Sequence, residues 1–278
     1  MKKRSINQTQ AKKMSSKSTK EIIVLGSQGL LGSEVTEYFK SLNHHVIPID
    51  RKNYKNYIGE SADLLINCNG NAYRFKANKD PSQDFEDNVL SVKNSLFDFN
   101  VDTYVYISTV DVYPNKNSIK NTNEESLIDT LALDIYGFHK WIAEQIVSKY
   151  SKKSLIIRAG TLIGKRLKKG PIYDILNRKE LHMSLMSKLS LVDTTIVAKA
   201  IEAILATKPV KDIYNVTGKT SVSLLDIEDQ IKLPIKKPKI TNEIIYEYEI
   251  NIGKLEKLIQ VPSSQEMVTN FINNPERW

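Results

Sequence analysis

Tyr136 and Lys140, in the run Tyr136-Gly137-Phe138-His139-Lys140, place a phenol and an ammonium four residues apart. On a helix the two share one face. A cation held near a phenol stabilises the phenolate and lowers its pKa from about 10 toward neutrality. Such a phenol can act as a general base on a carbinol or as a general acid on a carbonyl. In a chain with 13 tyrosines, about one such pair is expected by chance, so its weight comes from its place in the fold. Thr109 belongs to the run Ser108-Thr109-Val110-Asp111-Val112-Tyr113, which directly follows an apolar strand. A hydroxyl at the C-terminal end of a parallel strand can orient a substrate oxygen toward the phenol; taken alone, it reads better as a residue capping its own loop.

A second constellation could bind an anion. Gly26-Ser27-Gln28-Gly29-Leu30-Leu31-Gly32 follows the first strand and opens the first helix. The first glycine permits the tight turn, the second lets a pyrophosphate approach the backbone, and the third lets helix and strand pack closely. The helix start adds free N–H groups and partial positive charge. Asp50 ends the second strand, where a carboxylate accepts hydrogen bonds from adenosine ribose hydroxyls and repels a 2′-phosphate. That favours NAD over NADP; the neighbouring Arg51, which could pair with a 2′-phosphate, keeps NADP open.

The elements that must position these groups alternate between strand and helix. EIIVLG (21–26), HHVIPID (44–50), DLLINC (63–68), TYVYIS (103–108) and SLIIRAG (154–160) read as strands, short and rich in β-branched residues. Helical spacing occurs at 30–42, through Leu31, Val35, Tyr38, Phe39 and Leu42. It recurs at 84–99, through Phe85, Val89, Val92, Leu96 and Phe99, and over 130–150. Strands apolar on both faces between helices imply an α/β fold with a doubly wound parallel sheet. A dinucleotide-binding core is expected over 21–160. A mixed region, 161–278, is expected to complete that core at about 190–227 and to form a smaller substrate-binding part.

The net charge of +8 arises almost wholly in residues 1–20, which carry seven lysines and arginines and no acid. That segment is too polar to bury a core and is expected to be a disordered tail, or an extension ahead of a start at Met14. The basic charge therefore does not mark a nucleic-acid-binding face. No apolar run is long enough to span a membrane, and the tail lacks the apolar centre of a secretory signal, so a cytoplasmic protein is expected. A single cysteine, Cys68, and four histidines give no pattern for a disulfide or a metal site.

The segments GSQGLLG, Asp50, INCNG, DNVLSVKN, ISTVDVY, YGFHK and LIIRAG together resemble the extended short-chain dehydrogenase/reductases. The group they resemble most is the NAD-dependent epimerase/dehydratase family, near the dTDP-4-dehydrorhamnose reductases. The resemblance runs from about residue 21 to 275, through SLVDTTIVAKAI, IYNVTGKTSVSLLDI and INIGKLEKLIQVPSSQEMV. It implies a Rossmann-type fold, an NAD(P) cofactor and a small-molecule substrate, in particular a nucleotide-activated sugar of the kind used in polysaccharide synthesis. Tyr136 would be the catalytic acid/base. Lys140 would hold the nicotinamide ribose and depress the tyrosine pKa, and Thr109 would be the active-site hydroxyl. Gly26, Gln28, Gly29, Leu30, Leu31 and Gly32 would surround the pyrophosphate, Cys68, Asn69 and Gly70 would line the cofactor, and Asn88 would lie beneath it. Relatives pair as homodimers through the helices corresponding to 84–99 and 130–150.

The chain also departs from the family's patterns. Thr161 stands where nucleotide-sugar epimerases carry asparagine, and Val110-Asp111 stands where dehydratases carry Asp-Glu, which disfavours elimination. Asp111, Thr161 and Lys188 are candidate substrate contacts, and Arg166, Lys168 and Lys169 form a basic loop able to meet a diphosphate. A keto-sugar nucleotide reductase would need the same residues as an epimerase. A cofactor-binding regulatory or scaffold protein is the reading of another class; its members usually lose the tyrosine or the lysine, and both are present here.

Overall fold

The structure, a computed structural model, describes residues 19–71, 74–177, 179–231, 244–274 and 276. The basic segment through residue 18, with Met14, lies outside the described residues.

Strands β1 (Glu21–Leu25), β2 (His45–Ile49), β3 (Ser61–Asn67), β4 (Asn100–Thr109), β5 (Ser154–Ala159), β6 (Thr161–Ile163), β7 (Lys188–Leu189), β8 (Leu191–Asp193), β9 (Lys211–Val216) and β10 (Val222–Ser223) alternate with helices α1 (Leu30–Ser41), α2 (Arg74–Lys79), α3 (Pro81–Phe85), α4 (Ser91–Asp98), α5 (Ile135–Tyr150), α6 (Pro171–Leu176), α7 (Thr194–Ala206), α8 (Leu224–Ile231), α9 (Gly253–Glu256) and α10 (Ser264–Ile272). Six strands form one parallel sheet in the order β2-β1-β3-β4-β5-β9. The order reverses between β1 and β3, and a crevice opens at such a switch point beyond the strands' C-terminal ends. Cys68 N donates to Leu25 O across that point at 3.0 Å.

The sheet is apolar on both faces because each face is covered. Ile22, Val24, Leu64, Ile66, Val105, Leu155 and Ile157 pack with α1 and α7 through Val35, Phe39, Val197 and Ile201. Ile23, Leu25, Leu65, Tyr104, Tyr106 and Ile156 pack on the other face with α4 and α5 through Val92, Ala143 and Val147. Residues pointing to opposite faces alternate along each strand, so the sequence reads as a continuous apolar run.

Two expected helices are drawn differently. The 130–150 helix begins at Ile135, because Asp134 caps it by accepting from Gly137 N at 2.7 Å, and residues 130–132 form a separate 3-10 turn capped by Asp129. The 84–99 helix is α3 and α4 joined by a π turn, Glu86–Leu90. Its expected apolar position Phe85 is 36% exposed.

Beyond β5 the chain makes two small pairings, β6 with β8 and β7 with β10. The segment around Tyr246 and Tyr248 lies beside Lys188, with Lys188 N donating to Tyr246 O and Tyr248 N to Lys188 O. A capping box at Ser263 and Glu266 starts α10, whose Ser264 hydroxyl bonds back to Leu191. Among the described residues no helix is long and apolar enough to cross a membrane.

Candidate active site

A continuous groove floor runs from the glycine turn to the helix bearing Tyr136. Gly26 has φ +73°, and a side chain there would stand 2.7 Å from Asn69 Oδ1 and 3.0 Å from Cys68 O. Gly70, at φ +134°, lies against Asn88 Oδ1, and a Cβ on it would stand 3.8 Å from Lys140 Nζ. Only glycine adopts these dihedrals at little cost. A Cβ at Gly32 would overlap the Gly26 carbonyl. Gly29 is the N-cap of α1 with no side-chain cap and no acid in the first turn, so the leading N–H groups at Leu30 and Leu31 are left to an anion. This cradle fits the pyrophosphate of a dinucleotide.

The end of β4 and the start of α5 bring three expected residues together. Thr109 accepts from Asp111 N at 3.1 Å, capping its own loop, and also hydrogen-bonds the Tyr136 phenol. Thr109 thus caps its own loop and reaches the phenol with the same hydroxyl. Gly137 makes this approach possible, since a side chain there would strike the Asp111 carbonyl. Lys140 follows one turn later, 4% exposed, with Nζ donating to Ile107 O at 2.8 Å and 4.3 Å above the Tyr106 ring.

The electrostatics differ from the expectation that Lys140 lowers the Tyr136 pKa. Burial pushes the Tyr136 phenol well above its ordinary value, and the Asp111 charge pushes it further; the Thr109 hydrogen bond and the Arg74 charge oppose this. Arg74 is the cation that lowers the phenol, and Lys140 Nζ is engaged by the Ile107 carbonyl. Lys140 itself is lowered to about 7 by burial, with Glu144, Asp84 and Cys68 acting in the opposite sense. Burial raises the Cys68 thiol to about 12, so the thiol is neutral and serves as lining.

Asp50, the expected ribose contact, caps the turn that follows it. Its Oδ1 accepts from Lys52 N at 2.7 Å and Asn53 N at 3.3 Å. Among the described residues its second oxygen takes no hydrogen bond. Arg51 is 92% exposed at its side chain and lies 3.9 Å from Asp87. Arg51, Lys76, Lys79 and Lys169 line a cleft of about 420 Å³ that ends at Gly70 and Asn71. Burial and the Lys76 charge lower Lys169 to about 8, and Arg166 Nη1 reaches Gln28 Oε1 at 3.4 Å. The basic loop therefore meets the glycine turn. Thr161 sits on β6, with its N–H donating to Ser190 O, and the Lys188 side chain is exposed on β7.

Three groups near Tyr136 escaped sequence reasoning. Arg74 donates to Asp134 Oδ2 at 2.5 Å and to the Tyr248 hydroxyl at 2.8 Å, and lies 3.5 Å from Asp111. Tyr248 donates to Asp111 at 2.8 Å, and Lys116 stands 3.6 Å from the same carboxylate. The two Tyr248 contacts span more than 130 residues of sequence, and no local pattern announces them. The Glu144–Arg158 pair is fully buried under the site, with Nη2–Oε2 at 2.8 Å and Ser108 Oγ donating to Oε1. Asp84, 1% exposed, pairs with His139 at 2.8 Å and accepts from Asn88 and Asn71. Its four-residue spacing from Asn88 on one helical run was the available signal.

Residues 22–233 match the sequence model of a family described as the NAD dependent epimerase/dehydratase family. A comparison with curated proteins returns no match. Among solved structures, a UDP-galactose 4-epimerase is similar at 21% identity and a TM-score of 0.76, over 91% of this chain and 97% of that one. A dTDP-4-dehydrorhamnose reductase from Bacillus anthracis, in complex with NADP, is similar at 18% identity and TM-score 0.74, over 93% and 99%. A UDP-glucuronic acid 4-epimerase from Bacillus cereus, in complex with UDP-glucuronic acid and NAD, gives 19% identity and TM-score 0.73, over 91% and 99%. These likenesses establish a shared fold.

Proposed function

Because the chain belongs to the NAD dependent epimerase/dehydratase family, we propose that it is an NAD(P)-dependent oxidoreductase or epimerase of a nucleotide-activated sugar, with Tyr136 as its general acid/base. The observation that carries this reading is the joining of Thr109, Tyr136 and Lys140 at the C-terminal edge of the sheet, on a groove that leads back to the glycine turn. The nicotinamide ring, when bound, supplies or accepts the hydride.

The chain's own residues divide the remaining work. The α1 N-terminus and the glycine turn bind the pyrophosphate, and Lys140 offers an ammonium at the Gly70 end of the groove. Asp50 retains one carboxylate oxygen for a ribose hydroxyl, which supports NAD, while Arg51 keeps NADP open. Thr109 holds the substrate oxygen against the Tyr136 phenol, and the phenol gives or takes the proton. Arg166 and Lys169 bring positive charge to the groove for a phosphate-bearing ligand. The neutral state of Tyr136 favours a second reading, a keto-sugar nucleotide reductase, in which the phenol begins as the proton donor.

A homodimer in the cytoplasm fits this reading. Phe97 and Tyr150, each 60% exposed, and Phe138 at 37% present aromatic surface on α4 and α5. Sedimentation of Phe97→Glu, expected to be monomeric, checks the dimer.

Titration of NADH and NADPH by fluorescence tests the main reading. Micromolar binding is expected, with Tyr136→Phe retaining the affinity and losing turnover of UDP- or dTDP-linked hexoses by about 10³-fold. Failure of both cofactors to bind would overturn it.

A further inference from the structure

We propose that Arg74 is a positioning residue for the reaction: its guanidinium, held between Asp134 and Asp111, sets the start of the Tyr136 helix against the turn that presents Thr109. The proposal rests on the catalytic reading given above. Arg74 opens α2, and its side chain is 31% exposed. Its Nε and Nη2 both donate to Asp134 Oδ2, at 3.1 Å and 2.5 Å. The other oxygen of that carboxylate accepts from Gly137 N at 2.7 Å and so caps α5. Arg74 Nη1 donates to the Tyr248 hydroxyl at 2.8 Å and lies 3.5 Å from Asp111 Oδ1. Asp111 N in turn donates to Thr109 Oγ1 at 3.1 Å. The guanidinium also rests on the Tyr246 ring, 5.1 Å from its centroid. One planar group thereby grips both shoulders of the Thr109–Tyr136 pair.

The two shoulders already touch at one point. A Cβ on Gly137 would stand 2.4 Å from the Asp111 carbonyl and 3.2 Å from Asp134 Oδ1. Tyr136 adjoins that contact, so any parting of the helix start from the turn draws the phenol away from Thr109. Two carboxylates flank the seam, and like charges repel strongly where the dielectric is low. Lys116, 3.6 Å from Asp111, answers one of them. Among the described residues Arg74 is the cation paired with the other, Asp134. A guanidinium suits the place because its donors are fixed in one plane and meet two acceptors at once. An ammonium there is a point charge on a flexible stem, and restores the charge without the geometry. With its donors committed to the helix cap and to Tyr248, Arg74 acts through Tyr136 and not on the sugar.

The test is steady-state kinetics of Arg74→Ala and Arg74→Lys on UDP- and dTDP-linked hexoses, with NADH affinity measured alongside. Displacing a reacting group by about 1 Å costs on the order of 100-fold in rate, and Arg74→Ala is expected to lose about that factor in kcat, with KM and NADH affinity nearly unchanged. Arg74→Lys is expected to recover little of the loss. Methylguanidinium added to Arg74→Ala is expected to restore kcat saturably, whereas methylammonium is not, a contrast that a merely structural loss would not show. Hydrogen exchange at the Gly137 amide reads the same contact without substrate, and is expected to quicken in Arg74→Ala. If Arg74→Ala does not fold, Asp134→Asn decides: asparagine caps a helix as well as aspartate does but gives up the ion pair. Its kcat is expected to fall while the melting temperature holds, and an unchanged kcat counts against the proposal. Wild-type kcat in Arg74→Ala, or a raised KM at constant kcat, overturns it outright. A wild-type protein that turns over no sugar nucleotide would instead overturn the catalytic reading. Gly137 exchange then judges Arg74 alone, and an unchanged rate in Arg74→Ala refutes its hold on the helix start.

Discussion

The Tyr248 phenol donates to Asp111 Oδ1 at 2.8 Å, joining the C-terminal segment to the turn that carries Thr109. Asp111 also lies near Arg74 and Lys116, so a charged triad is held by one neutral phenol. Tyr248→Phe leaves those ion pairs but frees the turn. It is expected to destabilise the protein by about 1–2 kcal/mol and to lower kcat about tenfold, with dinucleotide affinity unchanged. Urea unfolding and steady-state kinetics read the two effects separately.

The buried Glu144–Arg158 pair predicts an asymmetric mutational response. Arg158→Leu leaves an uncompensated carboxylate beneath the sheet and is expected to cost about 3–5 kcal/mol. Glu144→Gln with Arg158→Met removes both charges and is expected to recover at least half of that loss. Chemical denaturation of Arg158→Met, Glu144→Gln and the double variant forms the cycle, and simple additivity would contradict the pairing.

Two glycines separate steric from conformational demand. A Cβ at Gly32 runs into the Gly26 carbonyl, so Gly32→Ala is expected to distort the turn and weaken NADH binding at least 100-fold, by the order of magnitude of a few kcal/mol. Gly59, at φ +94° with open space around it, faces only the dihedral penalty. Gly59→Ala is expected to cost about 1 kcal/mol with full NADH affinity. Fluorescence titration and thermal melting distinguish them.

Lys140 ties function to instability. Its folded pKa of about 7 lies below the ordinary lysine value of 10.5. The unfolded chain therefore binds the proton more tightly between these values, and stability rises with pH across that window. Below pH 7 the folded state must carry the buried charge in full. Lys140→Met is expected to stabilise the protein by about 2 kcal/mol at pH 6, with the gain vanishing by pH 10, while turnover is lost. Melting curves at the two pH values check the sign.

The chemistry-bearing residues on the parallel strands were legible because strand ends and turns are local. A strand stopping at glycine fixes where Gly26 and Gly70 lie, and helical spacing fixes Tyr136 one turn from Lys140. What escaped has two physical origins. Arg74, Tyr248 and Asp111 meet only through tertiary packing, which no spacing rule encodes. The turn-capping role of Asp50 is a second one, since a short polar side chain before a turn bonds its own backbone, and here one of its oxygens does so. Spacing reports a cation's place in sequence, whereas burial sets the direction of the Tyr136 shift.

The order in which the ribosome delivers these parts bears on when a chain becomes competent. β9 completes the central sheet at Val216, whereas Tyr248 is synthesised more than thirty residues later. Folding domain by domain as synthesis proceeds, the nascent polypeptide assembles the glycine-turn groove while Arg74 and Asp111 still lack the phenol that bridges them. A truncated translation product ending after β9 would carry the sheet's full strand set yet lack Leu255, Val268 and Phe271, and so would expose the core that these side chains complete.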